Sequence, residues 1–163
     1  MMTQRPKLDF QTISSDPVLF VAFGFGSGLS PKAPGTIGTL VAYPLYFLLM
    51  ALMPSTFILA VLAVFFVIGI YLCDQAGAYF GVPDHSGIVW DEIVAMLFIL
   101  VMIPLTPVAF GVAFLLFRFF DIVKPWPIGF FDQKLKNGFG VMFDDALAAI
   151  YTLACFWGYA LLV

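Results

Sequence analysis

The sequence places three charged side chains at three-residue spacing inside a strongly apolar stretch: Arg118, Asp121 and Lys124. On a helix, residues three apart lie on the same side, about one turn from one another. Pro125 and Pro127 then stop the helix, because proline lacks a backbone donor and its ring clashes with the preceding turn. Ionisable groups at membrane depth are costly and indicate a functional site. The pattern therefore predicts a charged site in the last turns of a helix.

Two acidic pairs stand near the ends of other apolar segments. Asp91 and Glu92 lie about one turn into one segment, and Asp144 and Asp145 open another. Because adjacent helical residues point about 100° apart, each pair is expected to give one direct ligand, while its neighbour bridges, supports or acts as a base. Converging carboxylates repel one another, so the acids predict a hard divalent cation between them.

Magnesium suits such acids because it takes oxygen ligands and commonly joins protein carboxylates to substrate phosphates. A zinc-type site is not expected, since the sequence has no Cys/His cluster, and its two cysteines are interpreted as isolated buried thiols. The predicted metal ligands are Asp91, Asp121, Asp144 and Asp145. Catalytic roles are predicted for Asp91, Glu92, Asp121 and Asp145. Glu92 is the candidate general base or a second ligand.

Cations beside these acids suit a phosphate group. Arg118 can clamp a phosphate with two hydrogen bonds, and Lys124 can act as a point charge. Residues 24–39 combine glycine, proline and hydroxyl side chains, which predicts irregular backbone able to cradle a phosphate. The phosphate-binding candidates are Lys32, Thr36, Thr39, Arg118 and Lys124.

The composition is that of an integral membrane protein. The chain has 163 residues, of which 63% are hydrophobic and 10% charged, whereas a soluble domain carries roughly 25% charged residues. Its mean hydropathy is +1.06. We expect one membrane-embedded catalytic domain over residues 1–163 with a polar tail at 1–16, no cleaved targeting peptide and no nucleic-acid partner.

Proline and glycine divide the apolar sequence into helical segments. A short helix over 18–25 is expected to be interfacial or re-entrant, since a bilayer crossing takes roughly 20 residues. Continuous apolar runs favour helices over a barrel, so the predicted fold class is all-α, a polytopic membrane helix bundle. Trp90 and Trp126 are expected to anchor it at the interface. The five predicted passes are 35–52, 55–80, 87–103, 107–123 and 140–163.

The charges predict which way the bundle faces. No Asp, Glu, Lys or Arg occurs in 33–73, 93–117 or 146–163, so with five passes every charge lies on one side. Cations on that side make it cytoplasmic by the positive-inside rule. They are Arg5, Lys7, Lys32, Arg118, Lys124, Lys134 and Lys136.

Four sequence blocks, at 26–39, 88–95, 118–128 and 140–148, resemble the phosphatidylglycerophosphatase A family. The resemblance covers nearly the whole chain from about Ala22, with Ala95 standing where the family commonly has glycine. It implies a magnesium-dependent lipid phosphatase of the bacterial inner membrane that removes the terminal phosphate of phosphatidylglycerol phosphate. It also implies an active site at Asp91, Glu92, Arg118, Asp121, Lys124, Asp144 and Asp145.

Other interpretations stay open at this point. Arg118 and Asp121 suit a structural ion pair, first-turn acids suit the helix dipole, and His85 suits a solvated loop. The acidic cluster also suits a cation carrier or channel, and a purely structural membrane partner is a third class. If the chain is a phosphatase, the attacking group is a metal-bound water or an aspartate.

Overall fold

The computed structural model describes residues 7–161, which confirm the predicted all-helical fold and include no strand. Arg5 lies outside the described residues. A short 3₁₀ segment, Gly24–Leu29, stands between the second and third α-helices. The α-helices are α1 (Phe10–Ser14), α2 (Pro17–Ala22), α3 (Pro34–Leu52), α4 (Ser55–Phe80), α5 (Trp90–Met102), α6 (Pro107–Val123), α7 (Ile128–Lys134) and α8 (Gly138–Ala160).

Proline sets several of these helix boundaries, as the sequence predicts. Pro17, Pro34 and Pro107 stand in the first turns of α2, α3 and α6, where a missing backbone N–H costs nothing. Asp16 and Thr106 accept hydrogen bonds from backbone N–H groups in the first turns of α2 and α6. Helix starts are thus fixed by local chemistry before any packing is considered.

Three helices, α3, α4 and α8, are long and apolar enough to cross a membrane. The other two predicted passes coincide with α5 and α6, which have 13 and 17 residues. Both are shorter than the roughly 20 residues of an unaided crossing. A helix is therefore present at each of the five apolar segments, and the number of passes stays a prediction.

Helix α5 is the centre of the bundle and packs against α3, α4 and α8. Five of its large side chains are fully buried: Ile93, Met96, Leu97, Ile99 and Leu100. A helix that is apolar around its whole circumference belongs inside a bundle rather than at its surface. The two acids in its first turn, Asp91 and Glu92, are therefore surrounded by other helices of the bundle.

Trp90 shows how closely α4 and α5 approach. It is only 4% exposed, so the expectation of an interfacial anchor is wrong for this residue, whereas Trp126 is 80% exposed. The Trp90 indole packs on Phe65 and donates from Nε1 to the Phe65 carbonyl at 3.2 Å. Gly69 makes room, because a Cβ there would lie 2.9 Å from the indole ring.

The irregular stretch predicted over 24–39 is shorter in the structure. It ends at Ala33, because residues 34–39 already form the start of α3. Two non-glycine residues, Phe25 and Ala33, adopt left-handed φ angles of 59° and 47°. Just before this stretch, the end of α2 is held against the segment before α5: the Val89 N–H donates to the Ala22 carbonyl at 3.0 Å. The predicted short helix over 18–25 is present as α2, but it ends at Ala22, three residues earlier than predicted.

His85 joins this loop region to α4. Its ring lies 5.6 Å from the Phe23 ring and 5.1 Å from the Phe80 ring, centroid to centroid. Its Nδ1 accepts a hydrogen bond from the Gly87 N–H at 3.0 Å. Burial lowers the pKa of His85, and the charge of Asp84 opposes that shift only in part. The histidine therefore has a packing role instead of standing free in a solvated loop.

We expect the His85 imidazole to titrate below 6.5, because protonating Nδ1 removes the acceptor for Gly87. The folded state prefers the neutral ring, so its contribution to stability is complete above the unfolded pKa and is lost as pH falls through the folded pKa. His85 is the sole histidine of the sequence, so NMR titration of ¹³C-histidine protein in detergent reads it directly. Asp84→Asn should lower the pKa further, and a wild-type pKa at or above 6.5 would contradict this assignment.

Candidate active site

Three carboxylates from two helices meet near the amino-terminal ends of α5 and α8. Asp91 and Glu92 belong to the first turn of α5, and Asp145 lies about two turns into α8. One oxygen from each of the three lies within 4.8 Å of the others. The neighbours Asp91 and Glu92 thus reach the same point, although their spacing predicted one direct ligand from each pair. We call these three residues the acidic trio.

The acidic trio is buried and incompletely paired. Asp91 and Asp145 are 8% and 3% exposed. Within the described chain, Asp91 Oδ1, Glu92 Oε2 and Asp145 Oδ2 are buried without a hydrogen-bond partner. Buried carboxylates cost several kcal/mol unless a cation or donors compensate them. An oxygen-only donor set fits a hard divalent cation of the magnesium type, so the residues present fit a metal.

Arg118 connects α6 with the acidic trio. Its Nη1 forms an ion pair with Asp121 one turn further along α6 and lies 3.9 Å from Glu92 Oε1. The Arg118 and Asp121 side chains are 14% and 12% exposed. Its Nε–H is buried and has no hydrogen-bond partner among the described residues, whereas Nη1 is engaged by Asp121. Arg118 therefore offers one unpaired buried donor, Nε–H, to an anion beside the trio.

Lys124 forms a second charged contact at the same end. It ends α6 in a left-handed conformation, and its Nζ donates to Asp144 and, at 2.9 Å, to Asp132 Oδ1. Burial by itself would lower the pKa of Lys124, but these two carboxylates raise it above its ordinary value. Burial would raise the pKa of Asp132, but its bond to Lys124 holds it below its usual range.

Asp132 is a site residue that the sequence analysis missed. It lies on α7, a short helix beyond the proline turn that follows α6. No helical spacing relates residues 124 and 132 across that turn, so no sequence signal points to their contact. The predicted residues Asp121 and Asp144 are thus placed beside cations, while Asp91, Glu92 and Asp145 form the trio.

The phosphate-binding candidates from the first loop differ in their positions relative to the acidic trio. A Cβ on Gly35 would lie 2.3 Å from Glu92 Oε1 and 3.2 Å from both terminal nitrogens of Arg118, so the first turn of α3 touches the site. This turn has no side-chain cap. Thr36 lies in it half-buried, whereas the buried Thr39 hydroxyl donates to the Gly35 carbonyl at 2.8 Å. Lys32 is exposed.

Asp74 binds the backbone at the start of α8. Its carboxylate accepts a hydrogen bond from the Gly138 N–H, and Asn137 accepts one from the Gly140 N–H at 2.9 Å. Acceptors at this position satisfy backbone N–H groups that have no partner within the helix. Asp74 therefore positions α8, and with it Asp144 and Asp145, from the neighbouring α4.

The sequence matches one protein family over most of its length. The family sequence model for phosphatidylglycerophosphatase A matches residues 20–160. Phosphatidylglycerophosphatase A of Haemophilus influenzae is 49% identical over 139 residues, covering 85% of each chain. Its namesake in Escherichia coli is 43% identical over 139 residues, covering 83% of this chain and 79% of the relative.

A relative from Bacteroides thetaiotaomicron bears a different name. It is provisionally named a phosphatidylinositol-3-phosphatase and is 39% identical over 143 residues, covering 83% of this chain and 88% of the relative. No solved structure shows a significant match to the chain.

Magnesium should raise the melting temperature of the purified protein, because the ion relieves repulsion within the acidic trio. At a hundred times its dissociation constant the gain is about 2.7 kcal/mol, or on the order of 5 °C for a chain of this size. Asp145→Asn should remove most of this shift in a thermal unfolding assay. The exposed acid Asp84 provides the control, since Asp84→Asn should keep the shift. An equal shift in both variants would exclude Asp145 as a ligand.

Proposed function

Because this chain belongs to the phosphatidylglycerophosphatase A family, we propose that it hydrolyses the terminal phosphate monoester of phosphatidylglycerol phosphate. The products are phosphatidylglycerol and inorganic phosphate, and the reaction belongs to phospholipid biosynthesis. The observation that carries the proposal is the acidic trio beside an arginine with a buried, unpaired Nε–H donor. Such a site suits a divalent metal and a phosphate together.

We place the substrate phosphate between Arg118 and the first turn of α3. Arg118 donates from Nε, and the start of α3, which has no side-chain cap, adds the positive end of its helix dipole. Asp121 holds the guanidinium in position from one turn away. Thr36 lies close enough to the helix start to assist, and Lys124 and Lys32 are proposed to strengthen the positive field around the phosphate.

The acidic trio is proposed to hold the magnesium ion. Asp91, Glu92 and Asp145 supply its oxygen ligands, and a ligand role for Asp121 and Asp144 stays a prediction. When bound, the ion neutralises phosphate charge and stabilises the charge that develops on the leaving oxygen. Glu92 lies 3.9 Å from Arg118 Nη1, and this closeness to the proposed phosphate site supports a role as the general base, as the alternative to metal ligation.

The positive-inside rule supports a site on the cytoplasmic side of the inner membrane, because the described cations other than Arg118 fall in loops or helix ends. This location suits a lipid headgroup, because the trio stands at the starts of two helices rather than at their centres. The apolar outer faces of α3, α4 and α8 support a multi-pass membrane protein.

Phosphate release from the purified protein in detergent tests the proposal. Phosphatidylglycerol phosphate, phosphatidic acid and phosphatidylinositol 3-phosphate should be compared, each with magnesium and with chelator. We expect chelator-sensitive release from phosphatidylglycerol phosphate and far less from the other two lipids. No release from any lipid by folded protein would contradict a phosphatase, and dominant release from the inositol lipid would replace the proposed headgroup.

Gly35→Ala should reduce kcat/KM by at least about tenfold, because misplacement of a reacting group by roughly 1 Å is that costly. The new methyl would force Glu92 or Arg118 away from its present position. Gly111→Ala is the matched control, since nothing lies within 4 Å of a Cβ there and alanine favours a helix over glycine. Activity retained by both variants would show that the start of α3 is not part of the site.

A further inference from the structure

A groove between α5 and α8 begins at the acidic trio. It has a volume of about 240 Å³, and its lining includes Asp91, Ala95, Phe98, Ala146, Ala149 and Ile150. Asp91 is the single ionisable residue of this lining, and it is also a member of the trio. The groove is therefore continuous with the candidate active site and is otherwise apolar.

The groove follows the helices away from the charged end. Helices α5 and α8 both start at that end, and Trp157 near the end of α8 donates to the Met102 carbonyl at the end of α5, at 3.1 Å. The two helices thus run side by side in the same direction. From Asp91 to Phe98 the groove descends seven residues of α5, or about 10 Å along the helix axis. Its rim residue Ile150 is 55% exposed, so the groove opens sideways on the outer surface of α8.

Small side chains create the space. Three alanines line the groove: Ala95 lies one turn after Asp91 on α5, Ala149 lies one turn after Asp145 on α8, and Ala146 directly follows Asp145. Larger side chains at these positions would fill this volume, because all three alanines line it. The groove therefore lies beside the acidic trio, at a depth where lipid acyl chains would surround the protein.

We propose that this groove binds an acyl chain of the phospholipid substrate, with the headgroup of the same molecule at the acidic trio. The inference rests on the proposed function, since it assigns the tail of the molecule whose phosphate is cleaved. An acyl chain gains little free energy on leaving lipid for another apolar surface. The groove consequently orients the substrate more than it attracts it, and it distinguishes a membrane lipid from a soluble phosphomonoester.

Ala146→Leu tests the groove because it is a half-buried residue of the lining. Its kcat/KM should be measured on dioleoyl phosphatidylglycerol phosphate and on the deacylated, water-soluble headgroup. We expect the ratio of the two values to fall on the order of tenfold, since a misplaced tail shifts the phosphate from the trio. Ala63→Leu is the matched control, because it changes an exposed alanine of α4 that does not line the groove, and it should leave the ratio as in the wild type. An unchanged ratio in folded Ala146→Leu would overturn the proposal.

Photocrosslinking separates this proposal from the proposed function, because it needs no turnover. Phosphatidylglycerol with a diazirine on one acyl chain is irradiated with the wild-type protein in detergent, and the adducts are mapped by mass spectrometry. We expect adducts concentrated on residues 94–98 and 146–150. Adducts spread evenly over the lipid-facing side of α4 would overturn the groove even if phosphate is released. Concentrated adducts without phosphate release would support the groove and contradict the phosphatase.

Discussion

Burial of carboxylates from α5 and α8 at one point is the constraint on which the rest of the structure depends. Charges a few ångströms apart interact strongly where water is scarce, and their removal from water is costly. Part of this cost is offset by Arg118 and Lys124, which α6 delivers to the same end of the bundle. The end of α6 must therefore lie at the level of the first turns of α5 and α8, and the prolines after Lys124 end the helix there.

Glycines allow this arrangement because they bring the helices close to α5. Gly35 lies against Glu92 and Arg118, and Gly38 against Val89, where a Cβ would be 2.5 Å from the Val89 Cβ. Gly28 approaches the segment before α5 even more closely, since a Cβ there would be 1.9 Å from the Gly87 carbonyl oxygen. Positions of this kind fix the start of α5, and they thereby fix the two acids that it carries.

Much of the fold could be predicted from the sequence because its signals are local. Apolar runs and prolines gave helices at 55–80 and 107–123, which agree with α4 and α6, and at 35–52, which differs from α3 by one residue. Helix α7 was not predicted, since its seven residues mix aromatic and charged side chains without a long apolar run. The burial of Trp90 was also missed, because it depends on Gly69 of another helix.

The sequence was enough to predict which residues could form the candidate site, but not which of them contact one another. Spacing along one helix shows which side chains share a side, so Arg118 and Asp121 could be expected together. Which acids of α5 and α8 meet depends on the rotation of each helix within the bundle, and sequence spacing does not contain that rotation. The contact of Lys124 with Asp132 depends in the same way on the turn between α6 and α7.

The turn between α3 and α4 has a consequence for biosynthesis. It comprises Met53 and Pro54, and no Asp, Glu, Lys or Arg occurs anywhere from 33 to 73. Insertion of one such charged residue at the centre of a membrane helix costs about 2.5 to 3.5 kcal/mol. A hairpin formed by residues 33–73 accordingly carries no ionised side chain that would have to cross a bilayer during insertion.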